Sequence, residues 1–190
     1  INQIQRKQVR RVIWENISID ENLYGGEVIR TTNNSEATIV FLKSNTAVEL
    51  EPESMIAIEE NNNNVTLNFL KGNLFVKKVG SENETNQKSI TLKTGNNQIS
   101  LKNAEVNLSK GKKGKVKIDV ISGTAKVQQG KQKIQLDKDT SGEISEGKLK
   151  EKRNPLVITF PEPNNSIYIT KENRNMVVRW EKLPPGYDVY

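Results

Sequence analysis

Two stretches of this sequence indicate the fold: Phe69-Leu70-Lys71-Gly72-Asn73-Leu74-Phe75-Val76 and Val120-Ile121-Ser122-Gly123-Thr124-Ala125-Lys126-Val127. They lie 51 residues apart, and each carries alternating apolar residues on both sides of a glycine. Alternation with a period of two predicts a β-strand that buries one of its two faces.

The match between these stretches extends outward without a gap. At the same shift of 51 residues, Ile39 aligns with Ile90 and Val48 aligns with Ile99. A period of two by itself matches only even shifts, so alternation alone does not produce this agreement. We therefore predict an all-β fold, a solenoid-like stack of short strands with an approximate 51-residue internal repeat.

The pattern changes near residue 154. Three further short strands are predicted there, and one of them ends at Trp180 before Pro184-Pro185. This arrangement resembles the opening strands of an immunoglobulin-like or fibronectin-type-III β-sandwich, in which such a Trp fills the core. We expect two domains, a β domain over residues 1–150 and the start of a β-sandwich module over residues 151–190.

The composition excludes most familiar catalytic sites. The chain has no Cys and no His, which rules out disulfides, thiol nucleophiles, Ser-His-Asp triads and zinc sites built on thiolate or imidazole. No motif of paired catalytic carboxylates or of a Ser-Lys pair is evident. We therefore expect a protein that is not an enzyme and that needs no metal or cofactor.

Charge is unevenly distributed along the chain, whose net charge is +6. Residues 1–60 carry 6 basic and 10 acidic side chains, whereas residues 61–153 carry 19 basic and 9 acidic ones. The densest basic run supplies the candidate binding residues, which are Lys110, Lys112, Lys113, Lys115 and Lys117. Charge alone could attract an anionic glycan, but the same run also fits a solvated hairpin tip.

Two more specific ligands are not supported by the sequence. The basic run has Lys rather than Arg and no interleaved aromatic residues, so we expect no specific nucleic-acid recognition. Residues 137–142 match the first half of a calcium loop, but the twelfth position is Lys148 where a bidentate Glu is required. We expect a turn there, with Gly142 supplying the tight backbone.

Residues 8–147 resemble the FecR-domain family. The residues that carry the resemblance are Trp14, the stretch Leu23-Tyr24-Gly25-Gly26-Glu27-Val28-Ile29-Arg30-Thr31, the alternation Ser35-x-Ala37-x-Ile39-x-Phe41, and Pro52-x-Ser54-Met55. The two glycine-centred stretches fit the later part of the family pattern. The resemblance implies a β-rich, solenoid-like domain in the bacterial periplasm or elsewhere in the cell envelope.

The resemblance leaves three functions open. The best-known family members are sigma-factor regulators with a cytoplasmic segment and a membrane helix, neither of which is visible in this chain. We therefore favour a non-enzymatic envelope domain that binds another envelope protein or acts as a scaffold, with membrane attachment only through segments outside this chain. The alternatives are the periplasmic sensor part of a membrane-anchored sigma-factor regulator in signal transduction, and binding of an anionic glycan or peptidoglycan through the Lys-rich middle.

Overall fold

The structure is a computed structural model that describes residues 3–61, 64–79, 90–111, 114–145, 148–153, 158–160 and 177–180. Contacts between residues divide the chain into two compact units, residues 1–152 and residues 153–190. The regular structure of the described residues consists of β-strands and one short 3-10 turn at Leu42–Ser44. The all-β prediction is therefore confirmed.

Thirteen strands form one connected sheet. They are β1 (Ile4–Lys7), β2 (Glu15–Asn16), β3 (Val28–Thr31), β4 (Ala37–Phe41), β5 (Thr46–Leu50), β6 (Met55–Asn61), β7 (Asn64–Lys78), β8 (Ile90–Thr94), β9 (Asn97–Lys110), β10 (Val116–Gln129), β11 (Gln132–Asp137), β12 (Thr140–Ser145) and β13 (Lys148–Arg153). Most neighbouring strands are antiparallel, and β7 with β8 is a parallel pair.

Three long strands each take part in two blocks of this sheet. The first half of β7 pairs with β6 and β8, whereas its second half pairs with β5 and β9. The first half of β9 pairs with β8 and the end of β10, and its second half pairs with β7 and the start of β10. One block therefore contains β3, β6, β8 and β11, and the other contains β4, β5 and β12.

The prediction of short strands is wrong for β7, β9 and β10, which are 14 or 15 residues long. The sequence pattern divides each of them into two short strands, but the backbone continues through a bend. Gly72 has φ +92°, and a Cβ there would lie 2.5 Å from the Cα of Ser54. Gly123 has φ +72°, and a Cβ there would lie 2.5 Å from the carbonyl carbon of Asn103. Glycine allows both the positive φ and the close backbone approach, so the strand bends instead of ending.

The apolar residues of the alternating pattern form a single core. Side chains from both blocks belong to one buried cluster, in which Ile29, Phe69, Leu92 and Ile118 are fully buried. Burial alternates along the strands, as in β8, where the first, third and fifth residues are buried. The burial of one residue in two stabilises the sheet through the apolar area removed from water, at roughly 25 cal/mol per Å².

The second unit contains one described pair of strands, β14 (Ile158–Phe160) and β15 (Arg179–Trp180). The guanidinium of Arg179 lies 5.7 Å from the ring centroid of Phe160. Trp180 is 44% exposed, so its side chain does not fill a core in the way that the sequence predicts. The remainder of the predicted β-sandwich segment lies outside the described residues.

Candidate functional site

The core of the first unit has an open side. Most residues of the alternating pattern are fully buried, but several apolar side chains are only partly covered although they pack against the core. Six of these line one groove, namely Ile4, Ile17, Leu23, Ala37, Phe41 and Val65. The groove is therefore a place where the inward face of the sheet reaches solvent.

Two segments form the walls of this groove, which we name the β4 groove. Residues 17–25 form one wall, and β4 with Leu42 forms the other. The buried residues Ile29, Ile39 and Ile58 lie at the floor, and the open groove has a volume of about 800 Å³. A concave, mostly apolar space of this size is typical of a ligand or peptide site.

The β4 wall is also an edge of the sheet. Among the described residues, β4 pairs with β5 alone, in a register that runs from Ala37 opposite Leu50 to Phe41 opposite Thr46. In an antiparallel pair, every second residue directs its N–H and C=O groups away from the partner strand. The outer side of β4 therefore presents backbone donors and acceptors along the groove.

This edge lacks the protection that is usual for exposed strands. The edge strand β13 has five charged residues among its six, whereas β4 (ATIVF) has none. Charged side chains, Lys above all, keep an edge from pairing with another chain. The contrast between the two edges singles out β4 as the strand that can accept another one.

Exposed aliphatic side chains surround the opening. Ile19 is 93% exposed, Leu42 is 83% exposed and Val40 is 49% exposed. Single exposed apolar residues are common on protein surfaces, but a group of them beside an apolar groove is characteristic of an interaction site.

The charged residues that the structure describes along the groove are acidic. Asp20, Glu21 and Glu36 are among its lining residues, and no Lys or Arg is among the lining residues that the structure describes. The carboxylate of Glu21 accepts a hydrogen bond of 2.7 Å from Nη2 of Arg6, which partly neutralises it. The groove therefore combines an apolar interior with a negative margin.

Local hydrogen bonds hold the wall formed by residues 17–25. The backbone N–H of Ser18 donates to Oε2 of Glu21 at 2.9 Å, and the N–H of Ile17 donates to the carbonyl of Ile4 at 2.9 Å. At the far end, the N–H of Tyr24 donates to the carboxylate of the buried Glu27 at 3.0 Å. These bonds fix the wall although it contains no strand.

The three candidate lysines that the structure describes, Lys110, Lys115 and Lys117, each have a polar partner. Nζ of Lys115 lies 3.1 Å from the carboxylate of Glu143, and Nζ of Lys117 lies 3.0 Å from that of Asp119. Nζ of Lys110 donates a 3.3 Å hydrogen bond to a backbone carbonyl. Lys112 and Lys113 lie outside the described residues. A binding role for the five lysines stays a prediction.

The turn between β11 and β12 differs from the expectation for residues 137–142. The positive φ of +62° belongs to Asp139, not to Gly142. Gly142 is buried within β12, where a Cβ would lie 2.7 Å from Cδ1 of Leu136. The glycine is therefore required by close packing, and the prediction that it makes the turn is wrong.

Sequence reasoning missed the β4 groove because one of its walls has no periodic pattern. Two signals could have indicated it. Residues 13–19 contain three isoleucines outside any alternating strand, and the predicted strand at 37–41 carries no charge.

These features define an all-β domain whose core opens into an apolar groove beside an unprotected strand edge. The FecR protein family model matches residues 27–126, more than half of the chain, so the chain belongs to the FecR family. The matched range includes β4 and most of the core strands.

Two solved structures share a similar fold. Two crystal structures of a "putative anti-sigma factor" from Parabacteroides distasonis ATCC 8503, at 1.65 Å and 2.50 Å resolution, both match with a TM-score of 0.55. The identities are 14% and 13%, and the matches cover 66% of this chain and 59% of the other. This chain therefore spans 59% of the length of that protein, and the likeness shows the fold alone.

No curated protein matches this chain significantly. In the part of the chain that the structure describes, no helix is long and apolar enough to span a membrane.

Proposed function

We propose that this chain is the sensing part of a sigma-factor regulator in the bacterial cell envelope, and that it acts by contact with another protein. The observation that carries the proposal is membership of the FecR family over residues 27–126. The similarity in fold to the Parabacteroides distasonis protein supports it. A non-enzymatic role is part of the proposal.

This proposal reverses the preference that the sequence alone gives. From the sequence, a general binding or scaffolding domain ranks above the sensor, because neither a cytoplasmic segment nor a membrane helix is visible. The comparisons support the sensor better. Both functions need a surface that binds a partner protein, and the β4 groove is our candidate for it.

The geometry suggests how such a sensor would work. A partner that fills the groove would cover the open side of the core, pair with β4 and pack against the wall formed by residues 17–25. A partner shifts a conformational equilibrium only as far as it binds one state better than the other, and the newly buried apolar area would supply that difference. In this proposal, periplasmic location and membrane attachment are supplied by segments outside this chain.

A test in the source bacterium can separate the sensor from a scaffold. The full-length gene is deleted, and sigma-factor-dependent transcripts are measured across the genome. We expect the transcripts of one sigma-factor regulon to change together while those of other genes stay the same. An unchanged transcript profile, together with altered envelope integrity, would support a scaffold and contradict the sensor.

The repeat supports a second proposal, about architecture. We propose that the 51-residue repeat reflects a duplicated unit in a solenoid-like stack. In its favour, Val48 pairs with Val76, and the residues 51 positions later, Ile99 and Val127, pair in the same way.

A chain that ends after residue 152 would test whether the first unit folds by itself; cooperative unfolding of that fragment is the expected result.

A further inference from the structure

We propose that the β4 groove binds an extended segment of a partner protein, which adds to β4 as a new strand. The segment has apolar side chains at alternate positions and Lys or Arg near its ends. This inference deepens the proposed function and rests on it, because it names the kind of partner that the sensing site binds.

The backbone of β4 provides the first argument. Its outer N–H and C=O groups have no backbone partner among the described residues, since β4 pairs with β5 alone. An extended peptide laid along this edge would satisfy them with a regular ladder. Strand addition of this kind gives affinity through the main chain and specificity through alternate side chains.

The side chains of β4 provide the second argument. All five residues of β4 line the groove; Ala37, Ile39 and Phe41 are at least partly buried on the core side, whereas Thr38 and Val40 are exposed. A strand added beside β4 would place every second side chain over the groove floor. These side chains would cover the partly buried residues that the chain leaves open to solvent, so alternate apolar residues are required.

Charge decides between a second copy of this chain and a different protein. The described lining residues include the carboxylate of Asp20 and no Lys or Arg, whereas the carboxylate of Glu21 is ion-paired with Arg6. Pairing of β4 with β4 of a second copy would place the Asp20 carboxylates of both copies at one interface, and like charges at an interface are unfavourable. The charge pattern therefore favours a partner that carries basic residues.

A pair of matched peptides tests the inference. The probes are fluorescein-labelled Lys-Thr-Val-Thr-Ile-Thr-Val-Thr-Lys and its analogue with Glu at both ends, titrated with the full chain and followed by fluorescence anisotropy. The protein variants are Val40→Lys, which puts a charge on the outer face of β4, and Val12→Lys, which makes the same change at an exposed residue that does not line the groove.

We expect the Lys-ended peptide to bind about tenfold more tightly than the Glu-ended one, because the charges are complementary. Val40→Lys is expected to weaken binding of the Lys-ended peptide by about tenfold or more, and Val12→Lys to leave it unchanged. Asp20→Asn should reduce the preference between the two peptides. Circular dichroism of each variant confirms that the fold is retained.

Three results would overturn the inference: equal binding of both peptides, equal binding by the Val40→Lys and parent chains, or no binding of either peptide. Concentration-dependent dimers of the parent chain that Val40→Lys abolishes would identify a second copy as the occupant, which also contradicts it. The transcript test can fail while peptide binding succeeds, so a failure of the sensor proposal is distinguishable from a failure of this one.

Discussion

The hydroxyl of Ser54 donates a hydrogen bond of 2.8 Å to the carbonyl of Asn73 and accepts one of 2.9 Å from the N–H of the same residue. Ser54 is buried, and its own N–H donates to Oγ1 of Thr31 at 2.9 Å. Ser54 therefore connects the turn before β6 with β3 through its backbone N–H, and with the bend of β7 through its side chain. The bend lies next to Gly72, where a Cβ would collide with Ser54.

Loss of this hydroxyl should destabilise the first unit. We expect Ser54→Ala to lower the free energy of unfolding by about 1–2 kcal/mol, because it removes two hydrogen bonds to the backbone of Asn73, whose carbonyl keeps only the bond from the N–H of Glu51. Urea unfolding followed by circular dichroism measures the change. Ser109→Ala, at a half-buried position of β9, is the control and should change stability by less than about 0.5 kcal/mol.

The two bend glycines should tolerate no side chain. We expect Gly72→Ala and Gly123→Ala each to cost about 2 kcal/mol or more, since both add a Cβ at positive φ and press it against backbone atoms. Gly130→Ala is the matched control, because Gly130 has φ +55° and open space around the added Cβ. That variant should cost only the backbone term, about 1 kcal/mol. Equal losses for all three would show that close packing at the bends is unimportant.

The N-terminal strands depend on a planar cation over an aromatic ring. The guanidinium of Arg30 lies 4.0 Å from the ring centroid of Trp14, and two of its nitrogens donate to Oε1 of Gln5 at 2.9 and 2.7 Å. Lys keeps the charge but loses the stacking and the paired hydrogen bonds, so we expect Arg30→Lys to cost about 1 kcal/mol.

Arg11→Lys is the control for this prediction, because Arg11 makes an exposed ion pair with Glu15. It should change the unfolding free energy by less than about 0.5 kcal/mol. Thermal and urea unfolding of both variants provide the measurement. A loss for Arg30→Lys no larger than that for Arg11→Lys would contradict the role assigned to the stacked guanidinium.

The open edge of β4 should promote aggregation of the heated, partly unfolded chain without forming a dimer of the native chain. We expect Val40→Lys to raise the temperature at which aggregates form in light-scattering measurements, while the unfolding midpoint stays within the error of the parent chain, because a charge on an edge strand blocks edge-to-edge pairing. Val12→Lys adds the same charge elsewhere and should have little effect. If both variants delay aggregation equally, net charge is the cause and not the strand edge.

The sequence predicts the core better than the connections between strands. The sequence correctly predicts that Val48, Leu67 and Ile118 are buried, because alternation indicates which face of a strand is covered. The bend at Gly72 is not predictable in this way, since a glycine between two alternating runs fits a turn as well as a continuous strand. The parallel pairing of Val65 with Ile90 depends on contacts between segments far apart in sequence.

The candidate site was the least predictable part. Phe41 follows the same alternation as Ile39, yet it is only half-buried, because no strand among the described residues lies beside β4 on its outer side. Sequence gives the polarity of a position but not whether a neighbour lies over it. The lysines illustrate the same limit, since Lys115 and Lys117 look like a free basic run but have acidic neighbours in space.

We infer that β4 is an open strand edge which a partner completes. Amide hydrogen exchange of residues 37–42, measured by NMR on the full chain, tests whether this edge is open and whether a partner covers it. We predict that the amides of β4 directed away from β5 exchange rapidly in the free protein and become strongly protected when the Lys-ended peptide is added, while the amides of β13 are unchanged. Amides of β4 that are all protected in the free protein, or that are unaffected by a peptide that binds, would contradict the claim.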